Sequence, residues 1–275
     1  MKRTKHYVKL PSYVVLIVAI LFFIFPIYWA VATSFKEAKL AFSESPVWLF
    51  KTRFENYKVV IFERNLPRFL INSVIVTLLS TLLTLALGVC VGYSIAIRKI
   101  KGGNQIASWI LSLRMVPPIV TAVPIYLIAR RLNLLDTHLV LILVYAFMNL
   151  PVASWLIKSY FEDIPLELEE AAIVDGCTYS QALVKIILPL ASPGIAATGV
   201  ICAIFAWNEF LYANILTGNV ANTAPVALTA YATPVGILWG EIFAAGSLIM
   251  LPVIVAGLAL QRYLVRGLTL GALKE

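Results

Sequence analysis

Charged side chains are scarce in this sequence. Asp, Glu, Lys and Arg account for 13% of its 275 residues, whereas soluble domains carry about 25%. Hydrophobic residues make up 61%, and the mean hydropathy is +0.90. These values exclude a soluble globular protein, and the absence of evenly spaced alternating segments argues against a membrane β-barrel. The composition therefore predicts an all-α membrane protein.

Motifs that would give the chain a chemistry of its own are missing as well. The sequence contains no G-x-x-x-x-G-K-[ST] phosphate loop and no H-E-x-x-H zinc motif. Basic residues are scattered over loops, which excludes a nucleic-acid footprint. The residues that would ligate a metal or form disulfides are few and widely separated, namely Cys90, Cys177, Cys202, His6 and His138. We therefore predict no catalytic residue, no metal site and no cofactor bound by this chain.

Six apolar stretches are long enough to cross a membrane, because about 20 residues rising 1.5 Å each must cover about 30 Å of hydrocarbon. They cover residues 12–33, 69–97, 106–129, 138–157, 192–216 and 240–262. The first follows a basic segment as a secretory signal would, but its length and the five stretches behind it favour a retained span. We predict one transmembrane domain over residues 1–275.

Basic residues indicate which side of the membrane the tails occupy. Lys and Arg are frequent in the N-terminal tail (2–9), in the turn after the second stretch (98–101) and in the C-terminal tail (263–275). The positive-inside rule then places both termini in the cytoplasm. The segment 36–68 is also basic and favours the opposite orientation. It is longer, however, and carries four glutamates as well, so it weighs less.

A charged segment over residues 158–190 interrupts the apolar pattern and is too regular for a plain connector. It predicts two short helices, the first beginning at Pro165, whose missing N–H suits the first helical position. Gly176 favours a left-handed stop, and a capping-box pattern from Thr178 begins the second helix. That helix is predicted to end at Pro189. The segment forms either a docking platform or an amphipathic helix lying on lipid.

The same segment carries a spacing known from a transporter family. Glu170-Ala171-Ala172, three residues, Gly176, nine residues, Ile186, one residue and Leu188-Pro189 match the EAA signature at every position. The chain resembles carbohydrate ABC importer permeases of the maltose-type branch, the binding-protein-dependent transport system inner membrane components. The resemblance runs from the first span to the C-terminus, and the other stretches that carry it are 114–118 (RMVPP), 132–137 (LNLLDT), 149–151 (NLP), 207–209 (WNE) and 267–274 (GLTLGALK).

The resemblance implies a type I ABC importer permease fold, with six transmembrane helices and a cytoplasmic coupling-helix loop, in a bacterial inner membrane. The expected partners are a second permease in a heterodimer, two ATP-binding cassette subunits that hold ATP and Mg, and an extracytoplasmic sugar-binding protein. The expected cargo is a sugar or related polyol. The residues expected to couple to the ATPase are Glu170, Ala171, Ala172, Asp175, Gly176, Ile186, Leu188 and Pro189, with Thr269, Gly271 and Lys274 in the C-terminal tail.

Polar residues inside the predicted spans are candidates for the substrate pathway. Trp207, Asn208 and Glu209 fall in the outer half of the fifth span, where a ring can stack on a sugar and polar groups can bind hydroxyls. Interface anchoring and packing against a partner permease are the alternatives.

Arg114 lies roughly 12 Å nearer the cytoplasm, so no direct pair with Glu209 is expected. We expect Arg114 to face the cavity or the partner, or to snorkel inward. Three prolines are expected to break the third span, namely Pro117, Pro118 and Pro124.

A secondary transporter or a channel for a small polar solute is the alternative function. A secondary transporter commonly contains buried acidic or histidine relays and internal repeats. Away from the ends of the predicted spans, the charged residues are Arg114 and Glu209, and no repeat is evident. A channel would show a filter-like or charge-ring pattern, which the sequence does not contain. Both alternatives predict transport without an ATPase.

Overall fold

The structure is a computed structural model that describes residues 10–41, 43, 45–234 and 236–270. These residues are predominantly helical, with one antiparallel hairpin of two-residue strands, β1 (Ala232–Thr233) and β2 (Gly236–Ile237). The helices are α1 (Leu10–Ser34), α2 (Ala38–Ala41), α3 (Glu55–Lys58), α4 (Leu66–Ala96), α5 (Gly103–Ser112), α6 (Pro118–Arg131), α7 (His138–Glu162), α8 (Glu167–Val174), α9 (Tyr179–Ala182), α10 (Leu188–Trp207), α11 (Leu211–Leu216), α12 (Ala224–Ala227) and α13 (Trp239–Leu270). Shorter turns complete them: π turns at Val59–Glu63 and Leu183–Ile187, and 3₁₀ turns at Leu113–Met115 and Leu228–Tyr231.

The number of membrane-crossing helices agrees with the six predicted spans. Within the described residues, five helical runs are long and apolar enough to cross a membrane, and α5 with α6 makes a sixth if that bent pair is one span. The five runs are Ser12–Ser34, Leu66–Ala96, His138–Glu162, Tyr179–Trp207 and Trp239–Leu258. The predicted all-α fold class is confirmed.

The third span is not one continuous helix over 106–129. Gly103–Met115 and Pro118–Arg131 meet at an angle of 92°. Val116 is extended, with ψ of 122°, because the residue before a proline is driven out of the helical region. The predicted break is therefore confirmed at the proline pair. It is wrong for Pro124, which lies inside α6 without ending it.

The fifth span differs from the predicted 192–216 at both ends. The helical run begins at Tyr179 and stops at Trp207, and α11 is a separate helix. The prediction that Pro189 ends a short helix is therefore wrong, because α10 runs straight through it. The π turn Leu183–Ile187 directly precedes this proline. Hydrogen bonds in a π turn join residues five positions apart, and this wider spacing accommodates the proline ring. The helix can therefore continue although proline donates no N–H hydrogen bond.

The chain divides into two compact units. One consists of Met1–Leu66 and Leu228–Leu251, and the other of Pro67–Ala227 and Pro252–Glu275. The predicted single domain over residues 1–275 stays a prediction.

In the first unit, polar contacts fix the segment that follows α1. Lys36 is buried, and its ammonium lies 4.0 Å from the centroid of the Trp29 ring. Burial lowers the pKa of this ammonium, because a low-dielectric setting disfavours charge. Asn56 donates two hydrogen bonds to the backbone around the end of α1, and Arg64 pairs with Glu241 at 3.2 Å. The chain after α1 is thus held by specific side chains.

The second unit packs α7 against its neighbours through glycines. A Cβ added at Gly92 of α4 would lie 3.0 Å from Ile157 Cγ2 and 3.1 Å from the backbone N of Lys158. Gly194 of α10 faces the Tyr160 ring, which would overlap an added Cβ. Small residues of this kind let membrane helices approach closely. The unit therefore has a tightly packed centre that positions the loop between α7 and α10.

Candidate functional site

The segment over residues 158–190 begins inside α7 and contains α8 after a short turn. The prediction that the first loop helix begins at Pro165 is wrong, because α8 begins at Glu167, two residues later. Its first turn still carries three glutamates, Glu167, Glu169 and Glu170, next to the positive end of the helix dipole. The local sequence thus stabilises a short two-turn helix in the loop between α7 and α10.

The predicted glycine stop and capping box are both confirmed. Gly176 has φ of +89°, a conformation that favours glycine, and its N–H bonds the Ile173 carbonyl oxygen at 3.0 Å. The Thr178 hydroxyl accepts the N–H of Gln181 at 3.3 Å, and the Gln181 side chain accepts the N–H of Thr178 at 2.9 Å. These two features turn the chain sharply between α8 and α9.

The signature residues of α8 fall on two different faces. Glu170 and Ala171 are exposed, whereas Ala172 is buried. Val174, at the end of the helix, is 86% exposed. Such high exposure is unusual for an apolar side chain. Asp175 is exposed beside it. The outward face of α8 is therefore small and acidic, with an apolar tip that sequence reasoning missed.

The later signature residues lie at the root of the loop. Ile186 is half-buried and Pro189 is exposed, while Leu188 packs against a buried apolar cluster. That cluster joins the ends of α4, α7 and α10 through buried residues that include Tyr93, Ile97, Ile157, Phe161 and Ile187. Within the second half of the signature, Leu188 therefore anchors the loop to the transmembrane helices.

Sequence reasoning also missed the buried acid of this loop. Glu169 is 5% exposed, and its carboxylate accepts a hydrogen bond from the Tyr93 hydroxyl. The other carboxylate oxygen lies 3.7 Å from Arg98 Nη1. The Arg98 guanidinium in turn stacks on Tyr179, 3.7 Å from the ring centroid. In the sequence, Arg98 indicated only the membrane topology. Helical spacing alone could have shown that Glu169 and Glu170 point in different directions.

The structure brings Arg114, Asn208 and Glu209 to one cavity of about 280 Å³. Arg114 Nη1 donates to the Met148 carbonyl oxygen at 2.7 Å, and the guanidinium lies 5.0 Å from the Phe205 ring centroid. Within the described part of the chain Arg114 forms no ion pair. The cavity thus presents a cation and two polar groups between broken helices.

Trp207 does not share this cavity. Its side chain is buried and faces an apolar pocket of about 290 Å³ that is lined by α4, α10 and α13 residues such as Val74, Val200 and Pro252. The indole N–H is buried without a hydrogen-bond partner among the residues that the structure describes. The Trp207-Asn208-Glu209 run is therefore split at the end of α10, with the ring on one side and the polar groups on the other.

Another acid that sequence reasoning left without a role lies between α6 and α7. The Asp136 carboxylate accepts backbone N–H groups from all four residues of 218–221, at 2.9 to 3.0 Å. Burial alone would raise the pKa of this carboxyl, but the four N–H donors hold the pKa at about 2. Asn72 adds two hydrogen bonds to the carbonyl oxygens of Val220 and Asn222. The loop after α11 is therefore held by side chains from two other segments. We call the Asp136 contacts with residues 218–221 the Asp136 clasp.

The predicted tail contacts fall largely beyond the structural description. Gly271 and Lys274 lie outside the described residues, and for Thr269 only its backbone position in α13 is described. The three cysteines are free. No group of three metal-ligating side chains occurs among the residues placed by the structure.

Comparisons with known proteins identify the family. Residues 85–270 match the model of the binding-protein-dependent transport system inner membrane component. Similar proteins include a probable ABC transporter permease protein of Sinorhizobium fredii, with 38% identity over 92% of this chain and 91% of that protein. The diacetylchitobiose uptake system permease protein of Streptomyces coelicolor is 35% identical over 91% of this chain and 92% of its own. The trehalose/maltose transport system permease protein of Thermococcus litoralis is 34% identical, with 91% of each chain covered.

A solved structure has the same fold. A chain of a bacterial ABC transporter involved in the import of the acidic polysaccharide alginate superposes with a TM-score of 0.77 at 22% identity, covering 96% of this chain and 98% of that one. The bent third span, the projecting α8 and the loop signature thus occur in a chain whose sequence and fold both match known transporter subunits. The chain belongs to the binding-protein-dependent transport system inner membrane components, the membrane-spanning permease subunits of ABC importers.

Proposed function

We propose that this chain imports sugars or related polyols as one permease of a heterodimer. It works with a second permease, two ATP-binding cassette subunits and an extracytoplasmic sugar-binding protein. Relatives whose names specify diacetylchitobiose and trehalose/maltose uptake support the carbohydrate class. ATP and Mg belong to the cassette subunits, and this chain carries out no hydrolysis.

The observation that carries the proposal is the geometry of α8. Its outward face presents Glu170, Ala171 and Val174, and the left-handed Gly176 sets the angle at which the chain leaves it. A small, projecting helix with an exposed apolar tip suits insertion into a cleft of another protein. Glu170 supplies charge at the rim of this contact, and Asp175 lies next to the tip. At the root of the loop, Leu188, which lies between Ile186 and Pro189, packs against the apolar cluster of the membrane helices, and Ala172 lies on the buried face of α8.

The proposed orientation places this loop and both termini in the cytoplasm of a bacterial cell. The basic tails and the basic turn after α4 support it through the positive-inside rule. The C-terminal tail, with Thr269, Gly271 and Lys274, then lies on the side of the cassette subunits and contacts them. ATP-driven closure of those subunits moves α8, and the movement changes access to the cavity.

Arg114, Asn208 and Glu209 line the proposed substrate pathway. The cavity is large enough for a sugar ring, and its guanidinium, amide and carboxylate can bind hydroxyl groups. Trp207 completes the candidate set, but its burial in a separate apolar pocket favours packing against helices over stacking on a sugar. Both broken helices end at this cavity, where free backbone groups are tolerated in a membrane.

Co-purification tests the coupling proposal. The tagged full-length chain is extracted with its native partners, and the cassette subunit is quantified by mass spectrometry. Gly176→Val forces a β-branched residue into a left-handed conformation. It should therefore reduce cassette-subunit retention at least tenfold while membrane insertion stays normal. Gly176→Asn is the matched control, since asparagine tolerates this conformation, and it should retain the subunit.

Two results contradict the proposal. The first is a wild-type chain that purifies without any ATPase subunit and moves solute in liposomes without ATP, as a secondary transporter or channel would. The second is Gly176→Val retaining the cassette subunit and the sugar uptake of the wild type.

A further inference from the structure

Four side chains join the C-terminal end of α4 to the two helices on either side of the Gly176 turn. They are Tyr93, Arg98, Glu169 and Tyr179, and we call them the latch. We propose that the latch transmits movement of α8 to the transmembrane helix α4, with Glu169 as its central positioning residue. This inference rests on the proposed coupling function of the loop and adds the route by which motion leaves it.

The Glu169 carboxylate is engaged at both oxygens. Oε1 accepts the Tyr93 hydroxyl, and Oε2 lies 3.7 Å from Arg98 Nη1. The carboxylate side chain is 7% exposed, whereas the Arg98 side chain is 39% exposed. A buried carboxylate is tolerated only when it is paired, since its desolvation must be offset. Glu169 therefore fixes α8 to α4 at one defined point.

Tyr179 extends the contact across the turn to α9. The Arg98 guanidinium lies 3.7 Å from its ring centroid, close enough for a cation–π interaction. The Tyr93 hydroxyl oxygen also lies 3.4 Å from the Tyr179 carbonyl oxygen. Tyr93 of α4 and Arg98, two residues beyond its end, thus contact both helices of the loop. A force applied to α8 therefore reaches α4 through side-chain contacts as well as through the chain.

The latch lies against a close-packed apolar cluster. Tyr93 belongs to the apolar cluster in which Ile157, Phe161 and Ile187 are fully buried, and Leu166 just before α8 packs against the same cluster. Close-packed interiors deform little and respond to force as units. Movement of α8 must consequently carry the end of α4 with it or break the latch.

The neighbouring glutamates have a different setting. Glu167 and Glu170 are exposed and form no ion pair within the described part of the chain. Each residue advances a helix by about 100°, which follows from 3.6 residues per turn, so Glu170 lies on a different face of α8 from Glu169. Glu170 is placed for contact with a partner, whereas Glu169 is placed for contact within this chain. Glu167 provides a matched control with the same charge on the same helix.

The test compares docking with transmission in the complete importer complex. Cys90, Cys177 and Cys202 are replaced by serine, and Ile204→Cys in the cavity wall reports access through its rate of maleimide labelling. The rate is measured without nucleotide and with ATP plus vanadate. We expect nucleotide to change the rate at least tenfold in this background and in Glu167→Gln. In Glu169→Gln the change should fall below threefold while the cassette subunit is retained.

A double variant separates a shared route from independent effects. If Arg98 and Glu169 act as one unit, Arg98→Gln combined with Glu169→Gln should be no worse than the stronger single variant, because coupled residues are non-additive. Should Glu169→Gln fail to insert, Tyr93→Phe removes only the hydroxyl and leaves the ring in the apolar cluster. In Tyr93→Phe, the change in labelling rate that nucleotide causes should be at least threefold smaller than in the background chain.

Other outcomes overturn the inference. A Glu169→Gln or Tyr93→Phe complex that responds to nucleotide as Glu167→Gln does would show that the latch transmits nothing. Loss of the cassette subunit from Glu169→Gln, as expected for Gly176→Val, would make Glu169 part of the docking contact instead. A background chain that holds no cassette subunit would refute the proposed function itself, and it is distinguished by that missing subunit.

Discussion

The Glu209 carboxylate accepts the backbone N–H of Tyr212 at 2.9 Å, and this bond spans the break between α10 and α11. Its second oxygen accepts the N–H of Ala213 at 3.2 Å. A negative charge at the beginning of a helix also interacts favourably with the helix dipole. Glu209 therefore supports the architecture of the cavity that it lines, and we expect a substitution there to affect structure in addition to its proposed role in transport.

Substitutions at Glu209 should separate these two effects. Glu209→Ala removes both acceptors and should lower the free energy of unfolding by about 1 kcal/mol, as loss of a helix cap does. Glu209→Gln keeps an oxygen acceptor and should lose less. The measurements are thermal unfolding in detergent and uptake in cells of a radiolabelled sugar that the wild-type importer takes up. Equal loss of uptake in both variants with unchanged unfolding would contradict a capping role and indicate direct substrate contact.

The Asp136 clasp predicts a pH-dependent contribution to stability. The pKa of this carboxyl is about 2 in the folded chain, below its ordinary value of 3.8. Its contribution is therefore fully present above pH 4 and is lost as pH falls from 4 towards 2. Asp136→Asn should cost about 1–2 kcal/mol at pH 7, allowing for partial solvent screening. Thermal unfolding of the variant and the wild type should converge as the pH approaches 2.

The matched control for this prediction is Asp175→Asn. Asp175 is exposed at the end of α8, so its neutralisation should leave the unfolding temperature unchanged at every pH. An Asp136→Asn chain as stable as Asp175→Asn at pH 7 would refute the clasp.

Close packing of α4 on α7 predicts that Gly92 tolerates no larger side chain. Gly92→Val would push methyl groups into Ile157 and into the backbone at Lys158, where even a single Cβ has only 3.0 to 3.1 Å. Overpacking of this kind should cost about 1–3 kcal/mol. Gly246→Val in α13 is the control, since nothing lies within 4 Å of a Cβ added there. Equal unfolding temperatures for the two variants would contradict the packing.

The proposed membrane orientation predicts which loops can be labelled from outside. In a chain whose native cysteines are replaced, a cysteine at Asn104 should resist a membrane-impermeant maleimide in intact cells. A cysteine at Asn219 should react. Both positions are exposed in the structure, so protein burial does not explain a difference. The reverse pattern would invert the proposed orientation and place α8 outside.

Local signals in the sequence predicted several parts of the fold correctly. The proline pair at Pro117 broke the third span, and Gly176 and Thr178 ended and began the helices of the loop. Each depends on the backbone of a few consecutive residues, so tertiary contacts have little influence. Predictions that treated an element as isolated were less successful. Pro189 was expected to end a helix, but the π turn before it lets the helix continue into the membrane.

The sequence by itself determined that this is an all-α membrane protein of about six spans with a signature loop, because hydrophobic length, charge placement and turn residues act locally. Only the tertiary structure decided which glutamate of that loop is buried, and that Tyr93 of α4 and Arg98 in the turn after it meet this glutamate from more than 70 positions away. It also decided that Trp207 faces away from Asn208 and Glu209. Such pairings depend on how distant helices pack, and three-dimensional packing leaves no pattern in a single chain's order of residues.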